Sequence, residues 1–413
     1  MFSSKCNTPI NKKDVKDDLL LKCIPHPHPK SEFGGVSFQY NGTDKPSVIL
    51  KASKKRQQPI LCIVTSSPLH HPIKSSSSES TPYDRVALHQ INIKKFAKCV
   101  LSHPLIIEAI EDLFVSVCFS WEECIGGGPE EHCFKKLIAG SVGDNYFLPT
   151  IAILGSQGEN IVSKSSTSKE YLTVGRFCTV MIKSLLFFHQ SELNPVPRYL
   201  KHLERQERVF DNKSGGNAFF AMSNAHVGEA EFAECIGVIA CKAAQFGEKE
   251  LVLVVYDEKL VSYSEIVRFA IGRGKTDIIY YVNDEEKEVA NYQVINKSCS
   301  NKSNFEVARL TGSIGGSIQV RTANYYISLT TFQFIPMTQY TMCRVNHALF
   351  QKDKDDAFSL LSPRQGALLQ YLRRNSDIPK SSTVDLDIYE GWTVALNKSV
   401  VERTRSANGH DRK

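Results

Sequence analysis

The sequence predicts a mixed α/β (α+β) fold, in which a helical first part of the core is followed by a βαβ unit, an antiparallel sheet and C-terminal helices. Three observations predict it. Hydrophobic residues make up 42% of the 413 residues, enough for a sizeable core. Between Tyr83 and Phe210 apolar residues recur at helical spacing. Beyond Gly215 short β-branched apolar runs alternate with helical stretches, then give way to turn-bounded runs.

Residues 1–82 lack sustained periodicity and contain Pro25-His26-Pro27-His28-Pro29 and the run Ser75 to Ser78. Such composition buries too little apolar surface to offset ordering entropy, so a disordered basic arm is expected. Within it, Val48 to Leu50 and Ile60 to Val64 are apolar enough to dock as short strands. A mainly helical region is expected over 83–214. Val86 to Val100 reads as an amphipathic helix with Lys94, Lys95 and Lys98 outside. His103-Pro104 opens a second helix through Val117, because proline fits the first helical turn. Gly126 to Pro129 breaks the chain and Glu130 to Ile138 reads as a short helix. Strands are expected at Phe147 to Leu154 and near Ile161. Helices follow at Leu172 to His189 and from Pro197 to Phe210.

Residues 215–397 read as an α/β region. A helix over Gly228 to Gln245 precedes the apolar run Leu251 to Tyr256, a helix over Ser264 to Ile271 and the run Ile278 to Val282. Strand, helix, strand at this spacing predicts a parallel βαβ pair. Antiparallel strands are expected at Val289 to Ile295, Phe305 to Leu310, Ser317 to Arg321 and Tyr325 to Phe334. Helices return at Thr338 to Phe350 and Pro363 to Arg374. Residues 398–413 read as a basic, flexible tail.

Composition narrows the function classes. No run reaches the roughly 18–20 apolar residues of a membrane span. The charges at Lys12, Lys13, Asp14 and Lys16 are unlike a signal peptide, so an intracellular protein without membrane contact is expected. The 12 cysteines are irregularly spaced and mostly lie in apolar runs, the pattern of reduced, buried thiols. The formal charge is +6, and residues 1–82 alone carry twelve Lys and Arg against six Asp and Glu. The tail adds five against two, so the positive charge sits on the two ends.

Several local patterns suggest chemistry. Gly272-Arg273-Gly274-Lys275-Thr276 resembles the end of a phosphate-binding loop, but Phe269 stands where the first glycine belongs and the segment follows a helix. A glycine helix cap is the simpler expectation. Cys118, Cys124, His132 and Cys133 are zinc-ligand types at unsuitable spacing, so no metal site is assigned there. Gly155-Ser156-Gln157-Gly158 lacks the glycine of a nucleophile elbow and reads as a turn. Asp257 and Asp284 follow the two strands of the expected βαβ unit. If those strands were neighbours, the two carboxylates would share one Mg²⁺ or Mn²⁺ and support nuclease or phosphoryl-transfer chemistry.

Basic features are the strongest lead. Arg198, Lys201, His202, Arg205 and Arg208 recur at three- and four-residue spacing on one helix, with Tyr199, Leu203 and Phe210 expected on its buried side. Such a stripe can track phosphates; Glu204 and Glu207 on the same helix offer a salt-bridged alternative. Lys54, Lys55 and Arg56 form a second basic patch. A basic arm on a near-neutral body is a layout of nucleoproteins, capsid proteins and viral non-structural RNA-binding proteins. The expected function is therefore a non-enzymatic nucleic-acid-binding or assembly protein that needs no cofactor and associates with nucleic acid and with itself. The metal-dependent enzyme and a protein–protein adaptor are the alternatives.

Overall fold

The structure is a computed structural model and describes residues 35–41, 44–65, 91–120, 149–164, 172–189, 196–298, 305–321, 323–375, 380–384 and 386–396. The chain is mixed α/β. Its first part contains β1 (Tyr40–Asn41), α1 (Pro46–Arg56), β2 (Ile60–Thr65), α2 (described over 91–99), α3 (Pro104–Leu113), β3 (Val115–Ser120), β4 (Thr150–Leu154) and β5 (Asn160–Lys164). These strands form one sheet in the order β1-β3-β2-β4-β5. β2 pairs in parallel with β3 and antiparallel with β4, and every one of its residues is buried.

That position corrects the expectation of an arm. The described part of residues 1–82 is folded: α1 starts at Pro46 and β2 is a central strand. Ile60 to Val64 are apolar without alternation because both faces of the sheet are covered, which is the pattern of a buried strand. The partners that make this burial possible lie more than fifty residues downstream, where local periodicity does not reach. The expectations for residues 1–34 and 66–82, for the helix at 130–138, and for the tail 398–413 lie outside the described residues. The region 83–214 is likewise less helical than expected, since β3 occupies the end of the helix drawn through Val117. α3 stops at Leu113, and Phe114 turns extended at φ −129°. The Gly155–Gly158 segment is the expected turn, joining β4 to β5 with Gly158 at φ +83°.

The next helices are α4 (Val174–Phe188) and α5 (Arg198–Asn212). The second sheet is built from β6 (Gly215–Met222), α6 (Ala225–Phe232), β7 (Val238–Phe246), β8 (Lys249–Asp257), α7 (Tyr263–Arg273), β9 (Thr276–Tyr281), α8 (Asp284–Ser298), β10 (Glu306–Arg309) and β11 (Ile318–Val320). The strand order is β10-β9-β6-β8-β7-β11. The expected βαβ elements β8, α7 and β9 all form, but β6 lies between the two strands and runs antiparallel to both. The neighbouring parallel pairs of the described chain are instead β2 with β3, β1 with β3, and β9 with β10. β10 is thus the expected strand in parallel rather than antiparallel pairing.

Three further elements differ from expectation. Val289 to Ile295 is helical, inside α8; Asn283 caps it, its Oδ1 accepting from Glu286 N at 2.8 Å while Glu286 accepts from Val282 N at 2.7 Å. The helix drawn over 228–245 ends at Phe232, and its second half is strand β7, paired along its length with β8. Residues 325–334 form α9 (Tyr325–Ser328) and a 3₁₀ turn (Thr331–Phe334) rather than a strand. α10 (Gln339–Phe350), α11 (Lys354–Ser359), α12 (Pro363–Arg374) and α13 (Ile388–Ala395) complete the described chain.

On one face of the second sheet Phe246 of β7 and Tyr280 of β9 meet edge to face at 5.8 Å, their rings reaching across the intervening β6 and β8. The other face packs on α6, α7 and α8. The largest core joins Leu61, Ile63, Ile151 and Ile153 of the first sheet to α3, α4, α5 and the C-terminal helices. α10 serves both bodies, with Met342 and Val345 in that core and Cys343 in the core of the second sheet. A polar tie crosses the first core. Buried Glu108 on α3 accepts from Arg364 N at 2.8 Å, and the Arg364 guanidinium reaches Glu111 at 2.5 Å, fastening α3 to the start of α12. Burial pushes Glu108 up to about 7, opposed by hydrogen bonds from the Arg364 amide and the Ser362 side chain and by the Arg364 charge.

Candidate functional site

The basic helix forms as expected, and two of its four Lys and Arg side chains, Arg198 and Arg208, are paired with carboxylates. Arg198 Nη1 donates to Asp356 Oδ1 and Ser359 Oγ, both at 2.7 Å. Arg205 Nη1 donates to Tyr340 Oη at 2.7 Å, and Arg208 pairs with Glu204 at 3.5 Å across one helical turn. Lys201 is exposed. His202 packs edge to face on Tyr340 at 4.9 Å. Burial, with the positive charges of Arg198, Arg344 and Arg205 added, lowers its pKa to about 3, so it is neutral near neutral pH and adds no positive charge. The buried side of α5 carries Tyr199, Leu200, Leu203, Gln206 and Val209. Phe210, expected on that side, lies on the same stripe at i+7 from Leu203 but is 55% exposed in the last turn of the helix. The salt-bridged arrangement of this helix is therefore present, and an arriving phosphate would compete with Asp356 and Glu204.

Lys54, Lys55 and Arg56 are placed differently. They form the last turn of α1, where cations complement the carbonyl end of the helix dipole, and all three are exposed together with Lys51. Arg56 Nη1 donates to Gln39 Oε1 at 2.6 Å, a neutral partner, and has no carboxylate partner among the described residues. α2 exposes Lys94, Lys95 and Lys98. Ile49 of α1 and Ile93 of α2 join one apolar cluster on one face of the first sheet, while Phe96 of α2 and the adjoining Val100 pack into the core on the other face, so α2 meets the α1 side only through Ile93. Residues 44–65 and 91–103 hold eight Lys and Arg against the single carboxylate of Asp44. The three lysines of α2, read in the sequence only as the outer face of a helix, add a second group of exposed cations to that of α1.

Asp257 and Asp284 do not converge. Asp257 is 2% exposed, and its Oδ1 accepts from Ser214 Oγ at 2.9 Å and Lys259 N at 3.1 Å. It organises the turn after β8, where its carbonyl also accepts from Leu260 and Val261. Asp284 is exposed at the start of α8. With β6 interposed, their strands lie about 10 Å apart, whereas Mg²⁺ holds its ligands at about 2.1 Å. Among the described residues no group of three or more His, Cys, Asp and Glu gathers at metal-binding distance. The shared Mg²⁺ or Mn²⁺ site thus loses the neighbouring strands on which it rested.

Gly274 is the C-cap of α7 at φ +68°, and Lys275 pairs with Glu231 at 2.6 Å, so the Gly-Lys-Thr segment is a helix cap rather than a phosphate loop. Cys118 lies on β3, while Cys124, His132 and Cys133 fall outside the described residues.

A polar network at α6, β7 and α9 has no counterpart in the sequence reading. Glu229 on α6 is 1% exposed. Asn324 Nδ2 donates to its Oε1 at 2.5 Å and Tyr325 N to its Oε2 at 3.2 Å. Lys242 Nζ donates to Asn324 Oδ1 at 3.1 Å. Burial raises Glu229 to about 7, opposed by the Tyr325 amide and the Lys242 charge. At the rim, Arg321 Nη2 donates to Glu250 at 3.1 Å, and its other terminal nitrogen lies 2.6 Å from His226 Nε2. The His226 ring stacks on Tyr325 at 4.1 Å. The network fastens residues 321–326 to the sheet. One signal for it stands in the sequence: Glu229 occupies the buried register of α6 with Ala225, Gly228 and Phe232.

No protein-family model matches this chain, and no curated protein matches it. Among the described residues no helix is long and apolar enough to cross a membrane.

Proposed function

We propose that this protein is a non-enzymatic nucleic-acid-binding or assembly protein whose phosphate contacts lie on the lysine faces of α1 and α2 rather than on α5. One observation carries the proposal: seven exposed basic residues and no carboxylate among the described residues of α1 and α2, two helices that meet in one apolar cluster through Ile49 and Ile93. Exposed cations with no carboxylate partner among the described residues condense onto a phosphate backbone and release its counterions, whereas Arg198 and Arg208 must first give up Asp356 and Glu204. Such binding is sequence-tolerant and falls steeply with salt.

The test is binding of the full chain to labelled single-stranded RNA and double-stranded DNA across a salt series. The triple variant Lys54→Ala, Lys55→Ala, Arg56→Ala should weaken binding and flatten the log–log salt slope by up to about 3, since each lost phosphate contact removes roughly one counterion. Lys201→Ala on α5 should change the slope by less than one. A chain that binds neither nucleic acid near about 150 mM salt, where non-specific binders still register, would refute the proposal and leave the adaptor alternative.

A further inference from the structure

Tyr340, in the first turn of α10, is 3% exposed and is surrounded by basic side chains from two helices. The guanidinium carbon of Arg344, one turn on along α10, lies 4.8 Å from the centre of its ring, and that of Arg205 on α5 lies 5.7 Å from it. His202, one turn before Arg205, meets the same ring edge to face at 4.9 Å. Gln206 Oε1 accepts from Tyr340 N at 2.9 Å and fastens the two helices there. Arg205 Nη1 donates to Tyr340 Oη at 2.7 Å, and Arg344 Nη2 donates to the carbonyls of Val238 at 3.1 Å and Cys235 at 3.3 Å. All of these partners are neutral, while Glu204 of α5 and Asp356 of α11 are held by Arg208 and Arg198. Two half-buried guanidiniums thus flank one ring with no carboxylate partner among the described residues. The ring face offsets part of each charge but is no counter-ion, and the two cations repel each other. Donors outnumber acceptors as well. Arg344 Nε and His202 Nδ1 are buried without a hydrogen-bond partner. The Tyr340 hydroxyl accepts from Arg205, and its own proton meets no acceptor among the described residues.

We propose that Arg205 and Arg344 form a binding site between α5 and α10 for a phosphate dianion, free or as the monoester of a small molecule. Two guanidiniums match its two charges, and its terminal oxygens accept from both cations and from the Tyr340 hydroxyl. A carboxylate, with one charge and two oxygens, would leave one of the cations unmatched. Arg205, Arg344 and His202 are half-buried rather than sealed in, so the site opens to solvent. Lys201, exposed one turn before Arg205, keeps the approach positive. Bound phosphate restrains α5 against α10, the helix that serves both cores. The site is separate from the lysine faces of α1 and α2. A phosphodiester backbone carries one charge per phosphate, whereas this pair is matched to the doubly charged group.

Isothermal titration of the full chain with inorganic phosphate at pH 8, with sodium chloride holding the ionic strength constant, reads the site directly. Saturable binding is expected. Arg205→Gln, which keeps the tie between Gln206 and Tyr340, should weaken it by about tenfold to a hundredfold, roughly what a hydrogen bond to a charged group contributes. Arg309→Gln, the same change of charge at an exposed residue of β10, should leave it unchanged. Arg344→Gln should weaken it likewise; where the loss of its carbonyl bonds costs the fold, Arg205→Gln and the wild-type midpoint decide. Phosphate should raise the thermal midpoint of the wild-type chain above that in chloride of equal ionic strength, and Arg205→Gln should shrink the difference. A nucleoside 5′-monophosphate separates the two sources of the group: tighter binding than inorganic phosphate assigns the ester as occupant, and equal or weaker binding assigns the free ion. No saturable binding above the chloride control would overturn the proposal, as would equal affinities for Arg205→Gln and the wild-type chain. Neither result bears on the nucleic-acid test at α1, so the two readings fail separately.

Discussion

Glu229→Gln should change how stability depends on pH more than it changes stability at any one pH. The carboxyl is 1% exposed and its pKa stands at about 7 against an ordinary value of 4.5. A rise of that size corresponds to about 3 kcal/mol between the two protonation states. The native state holds the proton more tightly than the unfolded chain, so stability from this group is fully present below 4.5 and is lost as pH rises through about 7. Glutamine carries no charge at any pH and removes that loss. It also places an amide nitrogen where Glu229 presents two acceptors to Asn324 Nδ2 and Tyr325 N, which costs about 1–3 kcal/mol for a group left unsatisfied. Asn324 cannot simply turn its oxygen to that nitrogen, because Oδ1 already accepts from Lys242. Near pH 4.5 the variant should therefore be the less stable protein. By pH 8 it should have gained about 3 kcal/mol relative to wild type, closing or reversing the gap. Urea unfolding of both proteins at several pH values between 4.5 and 8 measures the difference directly, with His226 and Glu108 common to both. Parallel stability profiles across this range would refute the assignment of a buried, near-neutral Glu229.

Two further substitutions test the packing. Gly175→Ala on α4 would set a Cβ 2.8 Å from Arg208 N and 2.9 Å from Glu207 C, both backbone atoms of α5. The helices must part, and thermal unfolding should show a loss of about 1–3 kcal/mol; an unchanged midpoint would contradict the close α4–α5 crossing. Arg364→Ala leaves Glu111 and buried Glu108 without their cation, for a loss of about 3–5 kcal/mol above pH 7 that shrinks as Glu108 takes up a proton. Denaturation at pH 5 and pH 8 should show that narrowing, and an equal loss at both would count against it.

Elements bounded by their own caps were legible. α12 begins at Pro363 behind Ser362, whose side chain and that of Gln365 form a capping box, and its limits match the periodicity. α7 is marked the same way by Ser262, Glu265 and Gly274. Where a local cue competed with a stronger-looking pattern, the reading failed. Val289, Tyr292, Val294 and Ile295 suggest a strand, yet Asn283 and Glu286 already carried the cap of α8. β7 holds Ala240, Lys242, Ala243 and Ala244, good helix formers, and is a strand because β8 and β11 pair with its two edges. The candidate site divides similarly. The exposed lysines of α1 and α2 are visible as charge on the chain. That Arg198 meets Asp356, far along the sequence, is not.

The sequence by itself determined the class of the fold, the caps and lengths of its well-bounded helices, and the excess of positive charge toward its ends. These follow from side-chain type and from contacts within a few residues. Tertiary structure alone decided that β6 enters between β8 and β9, that Asp257 orders a turn while Asp284 stands apart, and that buried Glu229 meets Asn324. Strand neighbours and buried partners are chosen by which distant surfaces become dry together, and no short stretch of sequence records that choice.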